Sequence, residues 1–194
     1  MKSVRIILFL VITSSLCTLL LAGAQLGYEK ASAVFNVRLY GTILELFSIE
    51  AAEDDIEKVF LENFETRTIG STVYYISKTV EKGSVVFKTI GAGLWSQIEL
   101  LLAFSPDFEK MYGLRVISQA ETPGLGARIT EMEFLERFRG VEVRPELKVV
   151  KFASRPNEVD AITGASVTSR SVEKIINRGV IEMDQAFGRD EGEE

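Results

Sequence analysis

The sequence predicts an α+β domain built on an antiparallel β-sheet with flanking helices, preceded by one N-terminal transmembrane helix. Three observations support this prediction. Short β-prone runs follow one another with tight turns between them, helical patterns stand before and after these runs, and one N-terminal stretch carries no charge. A parallel sheet needs a helix between successive strands, so this order favours strands joined by hairpins.

The uncharged N-terminal stretch is predicted to span a membrane. Charged residues stop at Arg5 and resume at Glu29, and residues 6–28 between them are mostly apolar. At about 1.5 Å per residue, such a helix crosses a hydrocarbon core of roughly 30 Å. The cations before the run predict a cytoplasmic N-terminus. Residues 1–28 are therefore expected to be a single-pass anchor in the inner membrane, with the main domain outside the cytoplasm.

A cleavable signal peptide is the alternative interpretation of this stretch. The small residues 22–24 resemble a cleavage site, although the apolar run is longer than a typical signal core. A lipid-modified Cys17 is disfavoured because the large Leu16 precedes it where a small residue is expected. Cys17 is better interpreted as a small apolar residue of the helix. All of these interpretations place the main domain outside the cytoplasm.

Residues 29–69 are predicted to form a helical connector. The pattern over 29–49 is ambiguous between a helix that leaves the membrane and a strand. Residues 51–64 are typical of an amphipathic helix, since acidic residues occupy the face opposite the apolar one. The apolar residues at helical spacing are Ile56, Val59, Phe60 and Phe64.

The domain proper is predicted over residues 70–187. Four strands are expected at 72–80, 85–90, 97–104 and 113–119, with turns at 81–83 and 105–107. A helix is expected over 130–139, a further strand over 147–153, and a final helix from Ser169 onward. Residues 188–194 form an acidic tail that is predicted to be disordered.

The composition limits the chemistry that this domain can perform. The 194 residues suffice for one domain and an accessory segment. A net charge of -6 argues against a general nucleic-acid binder. The absence of histidine and the single cysteine exclude imidazole-based catalysis, the usual catalytic zinc sites, disulfide frameworks and CxxC redox motifs. Any redox chemistry must therefore come from a bound cofactor.

The segment from Asp160 to Ser169 is the first candidate site. It is a turn of small residues with four hydroxyl side chains that opens directly into a helix. Free backbone N–H groups and the helix dipole at such a start attract anions, phosphate especially. The structural alternative is ordinary capping, in which Thr168 or Ser169 caps the helix and Gly164 turns the chain.

Two further glycine-containing segments are candidates. In the segment from Glu121 to Gly126, Pro123 fixes one torsion, while Gly124 and Gly126 permit close approach of a flat ligand. This segment is neither a dinucleotide fingerprint nor a P-loop, and by itself it is typical of a tight structural loop. The stretch over 91–95 contains the one tryptophan, which either belongs to the core or flanks a planar ring.

Three motifs in this order resemble those of a known family. GAGLWSQ, QAETPGLGARI and DAITGASVTSRSV, following one membrane helix, are similar to FMN-binding subunits of ion-pumping respiratory complexes. Two related families fit, the G subunit of the Rnf electron-transport complex and the C subunit of the sodium-translocating NADH:quinone reductase. The short chain favours the Rnf family. The resemblance covers residues 70–180 and the anchor.

This resemblance implies FMN held by a phosphoester bond to a hydroxyl side chain. The acceptor motif falls on Asp160, Thr163, Gly164, Ala165 and Ser166, with Ser166 at the acceptor position where the family usually has threonine. Thr168 is the alternative acceptor, and non-covalent FMN is a third possibility. The resemblance also implies a separate magnesium-dependent flavin transferase that uses FAD. Asp160 is then expected either to be recognised by this transferase or to orient the acceptor turn.

The resemblance further implies which residues surround the flavin ring. The isoalloxazine is expected to lie against Glu121, Thr122, Gly124, Leu125 and Gly126. Leu94 and Trp95 are expected to form a further wall, with a place in the core as the alternative. No catalytic side chain and no metal site are expected.

The resulting functional expectation is an electron-transfer subunit of a membrane-bound, ion-translocating oxidoreductase complex. FMN would relay electrons between neighbouring subunits. Two alternatives remain: a non-redox, membrane-anchored domain that binds a phosphate-bearing ligand, and a flavin reductase that turns over a substrate.

Overall fold

The fold is taken from a computed structural model that describes residues 2–188. The predicted acidic tail therefore lies, apart from Gly188, outside the described residues.

The first helix, α1 (Lys2–Leu46), is continuous over 45 residues and about 65 Å long. Within it, Arg5–Gln25 has a mean hydropathy of 2.5, is long and apolar enough to cross a membrane, and is unburied. A signal sequence has the same properties. The ambiguous pattern over 29–49 is resolved as helix up to Leu46, because Leu39, Ile43 and Leu44 are buried along one side of α1.

A short helix and an unexpected strand follow α1. After a 3₁₀ turn (Glu53–Asp55), α2 spans Ile56–Asn63 and ends where β1 (Phe64–Ile69) begins. The sequence did not predict β1 and extended the preceding helix to residue 64. The reason is that β1 is an edge strand with four consecutive exposed residues, so it lacks the apolar alternation by which strands are recognised.

The central sheet has five antiparallel strands in sequential order. After β1 come β2 (Thr72–Ser77), β3 (Val85–Ala92), β4 (Gln97–Phe104) and β5 (Met111–Ser118). The predicted antiparallel sheet is confirmed, and β4 has the predicted bounds. The first predicted strand is too long by three residues, since the chain turns after Ser77.

Both faces of this sheet are buried. On one face, Leu100 and Leu102 pack in a core cluster with Val172 and Ile176 of the last helix. On the other face, Leu101 lies in a second cluster that includes the end of α1 and α2. This arrangement explains why β4 reads as a nearly continuous apolar run and not as an alternating one.

The remaining elements form a layer over the first face. A 3₁₀ turn (Gly126–Thr130) precedes α3 (Met132–Glu136), and β6 (Lys148–Val150) pairs in parallel with β7 (Glu158–Asp160). The helix α4 (Ser166–Phe187) closes the fold. The strand predicted over 147–153 contains β6, but the sequence predicted neither β7 nor the start of α4 at Ser166, three residues before the expected Ser169.

Replacing Leu101 by alanine should destabilise the domain. Its side chain is fully buried between the sheet and α1, and such truncations reduce the free energy of unfolding by about 2–5 kcal/mol. The measurement is urea denaturation of the full chain in detergent, followed by circular dichroism. Leu61→Ala, at an exposed position of α2, is the matched control and should change the free energy by less than about 0.5 kcal/mol. Equal effects of both variants would contradict burial of the second face.

Candidate functional site

Three segments meet at one end of the sheet. The β3–β4 turn lies there because residues Ala92 and Gln97 pair at its base. The exit of β5 lies at the same end, since Ser118 pairs with Glu99 of β4. The first turn of α4 completes the group, because α4 packs across β3 and β4.

These segments enclose a cavity of about 430 Å³, called here the main cavity. It contains ten of the thirteen residues predicted for the site, and Val167 in addition. Its lining residues are Leu94, Trp95, Glu121, Thr122, Leu125, Gly126, Gly164, Ala165, Ser166, Val167 and Thr168. No sequence signal distinguishes Val167, which enters only because α4 begins at Ser166. The predicted residues Gly124, Asp160 and Thr163 do not line this cavity.

Glu121 connects the three segments. One carboxylate oxygen, Oε1, accepts hydrogen bonds from the N–H groups of Leu94 at 2.9 Å and Trp95 at 3.0 Å. The other, Oε2, accepts one from the Thr168 hydroxyl at 2.7 Å. The side chain is 4% exposed. Glu121 is therefore a clamp between the β3–β4 turn, its own loop and α4, and not merely part of a wall.

The glycines beside Glu121 leave room for this clamp. A Cβ atom at Gly93 would collide with Oε1 of Glu121. A Cβ atom at Gly126 would lie 2.9 Å from Oε2 of Glu121 and 2.7 Å from the Thr168 hydroxyl oxygen. Any larger residue at either position would displace the carboxylate, so these glycines allow the backbone to lie close to the Glu121 side chain.

The environment of Glu121 favours its ionised form. Burial is the largest single influence on the pKa of this carboxyl and raises it. The hydrogen bonds donated by backbone N–H groups of the β3–β4 turn and by the Thr168 hydroxyl together outweigh burial and hold the pKa below its ordinary value of 4.5. Glu121 is therefore a carboxylate at neutral pH.

The first turn of α4 has no side-chain cap. The N-cap residue is Ala165, and its side chain offers no hydrogen bond. The alternative that Thr168 or Ser169 caps the helix is wrong. The Thr168 hydroxyl donates to Glu121, and the Ser169 hydroxyl accepts the Ile162 N–H at 3.1 Å and donates to the Ala165 carbonyl. The backbone N–H groups of this turn are thus left for another acceptor.

Exposure differs sharply among the side chains of the main cavity. Ser166 is exposed, whereas Thr168 is 1% exposed. Leu94 and Trp95 are 50% and 72% exposed, so the alternative that they belong to the core is wrong. Together with Leu125, they form an apolar rim around the mouth of the cavity.

Asp160 and Thr163 line a second cavity, also of about 430 Å³, together with Arg128, Arg137 and Lys151. The Asp160 side chain accepts the Ala153 N–H at 2.6 Å, and its carbonyl accepts a hydrogen bond from Arg137 at 3.0 Å. The residues of the predicted acceptor motif therefore divide between the two cavities, one on each side of the turn.

The fold and the main cavity define a small α+β domain with a ligand cavity at an uncapped helix N-terminus. Residues 93–180 match the FMN-binding domain family. This segment begins at the β3–β4 turn and ends in α4, so it contains all three segments that meet at the main cavity.

The chain is also similar to named subunits of ion-translocating oxidoreductases. It is 32% identical to the G subunit of the ion-translocating oxidoreductase complex of Methanosarcina acetivorans, over 66% of this chain and 61% of the relative. It is 32% identical to the G subunit of the Na(+)-translocating ferredoxin:NAD(+) oxidoreductase complex of Acetobacterium woodii, over 65% of this chain and 62% of the relative. It is 31% identical to the C subunit of the Na(+)-translocating NADH-quinone reductase of Pasteurella multocida, over 78% of this chain and 56% of the relative.

Solved structures share the fold. The crystal structure of Shewanella oneidensis NqrC superposes with a TM-score of 0.66 at 20% identity, over 77% of this chain and 94% of that one. The crystal structure of the C subunit of the Na(+)-translocating NADH-quinone reductase from Parabacteroides distasonis superposes with a TM-score of 0.63 at 20% identity, over 74% of this chain and 88% of that one. The matches span about half to three-fifths of the length of the curated relatives.

The clamp should make stability depend on pH in a defined direction. Because folding lowers the pKa of Glu121 below 4.5, the ionised carboxylate stabilises the fold above that pH, and this contribution is lost as pH falls through the folded-state pKa. The free energy of unfolding of the wild type minus that of Glu121→Gln should be constant near neutrality and shrink below pH 4.5. Urea denaturation across this range measures it. Glu65→Gln, on exposed β1, is the control, and an identical profile for both variants would contradict the clamp.

Proposed function

We propose that this chain is the FMN-carrying electron-transfer subunit of a membrane-bound, ion-translocating oxidoreductase complex. The observation that carries the proposal is the convergence of the three motif segments on one cavity, inside a segment of the FMN-binding domain family. The sequence favours the G subunit of an Rnf-type complex. The C subunit of a Na(+)-translocating NADH-quinone reductase, with the same role, is the alternative.

The residues of the main cavity fit FMN. The uncapped N-terminus of α4 suits a phosphate group, because its N–H groups and the helix dipole attract anions. The apolar side chains of Leu94, Trp95 and Leu125 suit a planar ring. When bound, FMN supplies the electron-transfer chemistry, and the chain binds and orients it and limits water at the ring.

Covalent attachment is supported by the charge of the main cavity. None of its lining residues is lysine or arginine. A freely dissociating FMN would therefore rely on neutral donors, backbone N–H groups and hydroxyls, to hold its phosphate. A phosphoester bond removes this weakness, since it retains the cofactor without a basic side chain.

Ser166 is the acceptor that the structure favours over Thr168. The Ser166 hydroxyl is exposed at the start of α4, whereas the Thr168 hydroxyl is buried and donates to Glu121. Ser166 would hold FMN through a phosphoester bond from its side-chain oxygen, formed in place of the bond between the FMN and AMP halves of FAD. AMP would be the leaving group, and the serine proton would pass to the transferase.

The second cavity is proposed to be the contact for the flavin transferase. Asp160 and Thr163 belong to the acceptor motif but face away from the main cavity. Next to them stand the exposed Phe152 and Lys151, together with Arg137, which holds the carbonyl of Asp160. A flavin transferase that binds at the second cavity would leave Ser166 and the main cavity accessible to the flavin.

The long helix α1 supports a membrane location. We propose that residues 1–28 anchor the chain in the inner membrane and that the domain outside the cytoplasm carries FMN. The predicted boundary between a connector over 29–69 and a domain over 70–187 is wrong, because β1 (Phe64–Ile69) belongs to the central sheet and the end of α1 packs against it. Because α1 is unbroken from the candidate span to the sheet, anchor and domain are linked by a helix and not by a flexible linker.

Two other functions are distinguished by experiment. A non-redox domain for a phosphate-bearing ligand would carry no flavin after maturation. A flavin reductase would turn over NADH as an isolated domain.

Replacing Ser166 by alanine should abolish covalent flavin. The full chain is co-expressed with a flavin transferase, denatured, and examined for in-gel fluorescence and for the mass of the peptide that contains residue 166. The wild type should fluoresce, and Ser166→Thr should as well, since it keeps a hydroxyl. A dark wild type would refute covalent attachment, while a fluorescent Ser166→Ala would move the acceptor to Thr168.

Replacing Arg137 by alanine should slow flavin attachment without changing any of the residues that line the main cavity. Arg137 orients Asp160 from the second cavity. We expect an initial rate at least about tenfold lower, corresponding to about 1.4 kcal/mol of lost recognition, and a similar loss for Asp160→Asn. Arg139→Ala is the matched control, because Arg139 pairs with Glu136 outside this cavity. Equal rates for the Arg137 and Arg139 variants would contradict the proposed contact.

A further inference from the structure

The main cavity has an unusual distribution of charge. Glu121 is its one charged lining residue, and the other ten are apolar, hydroxyl-bearing or glycine. The donors to the carboxylate are two backbone N–H groups and one hydroxyl, all of them neutral. They stabilise the negative charge but do not cancel it.

No cation pairs with Glu121 within residues 2–188. The two arginines nearest to it along the chain, Arg115 and Arg128, are paired with Glu136 at 3.7 Å and with Glu131 at 3.2 Å. Arg178, which reaches Thr89 of β3, is paired with Glu182 on α4. The charge of Glu121 therefore acts on the cavity without a compensating partner, and its burial weakens screening by water.

We propose that the Glu121 carboxylate sets the reduction potential of the flavin in this cavity, holding it low by placing a fixed negative charge beside the site of electron uptake. This inference rests on the proposed function, since it requires FMN in the main cavity. Each electron added to a flavin adds negative charge wherever no proton accompanies it. A fixed carboxylate opposes that change, and the charges around a flavin are among the means by which proteins tune it.

The clamp gives this charge a fixed position. Because Glu121 is bonded to two backbone groups and to α4, its carboxylate cannot turn away when the flavin is reduced. A mobile surface carboxylate would reorient and be screened, and would have little effect. The residue that assembles the cavity thus also fixes its electrostatic potential.

The experiment compares the potential of the flavin in matched variants of the full chain. Wild type, Glu121→Gln and Glu65→Gln are loaded with FMN by co-expression with the transferase and titrated reductively with a reference dye, with flavin absorbance as the readout. Glutamine keeps an oxygen that accepts both N–H bonds while it removes the charge. Glu65→Gln removes the same charge from exposed β1.

Glu121→Gln should make the first electron about tenfold more favourable, which for a one-electron step is about 59 mV toward positive potential. Glu65→Gln should leave the potential unchanged. Equal potentials in wild type and Glu121→Gln would overturn the inference. A wild type that holds no FMN would instead contradict the proposed function, so the two failures are distinguishable.

A second variant keeps the test decisive if Glu121→Gln does not load flavin. Thr168→Val removes one hydrogen bond from the carboxylate but keeps its charge. Its flavin should have the potential of the wild type or a lower one, because the charge is less well stabilised by donors. A clearly higher potential in Thr168→Val would show that the hydrogen bond and not the charge is responsible, and would overturn the inference.

Discussion

The hydrogen bonds to one buried carboxylate hold the candidate site together. Glu121 receives the N–H groups of the β3–β4 turn on one oxygen and the Thr168 hydroxyl on the other. Its side chain thereby joins the β3–β4 turn, the loop after β5 and the start of α4. The close approach of Gly93 and Gly126 is a consequence of the same arrangement.

The sheet makes this clamp possible because it is fixed from both faces. The end of α1 and α2 cover one face, and α4 covers the other. A sheet packed on both faces keeps the β3–β4 turn and the exit of β5 at a constant separation, which the three hydrogen bonds to the carboxylate require. The helix that begins in the candidate membrane span thus takes part in positioning the cavity, although it lines no part of it.

Particular elements show how far the sequence predicted this structure and where it stopped. The bounds of β4 followed from residue types, whereas the site residues came from the resemblance of three motifs to a known family, and ten of those thirteen residues line the main cavity. The edge strand β1 was missed because four of its consecutive residues are exposed, so its sequence lacks the alternation of apolar and polar residues. Residue types also do not report direction: Asp160 belongs to the acceptor motif yet faces the second cavity, and Glu121 was expected to be a wall although it is a clamp. These differences arise from tertiary contacts between segments far apart in the chain.

The composition excludes proton transfer by histidine, and the main cavity offers a fixed negative charge in its place. A chain without histidine cannot move protons through an imidazole near neutral pH, and the one ionisable group of the main cavity is a carboxylate held charged by its hydrogen-bond donors. That carboxylate therefore does not exchange a proton with a cofactor near neutrality. The described cavity thus offers a fixed charge and apolar contact surface, and the proposed FMN would supply the redox chemistry.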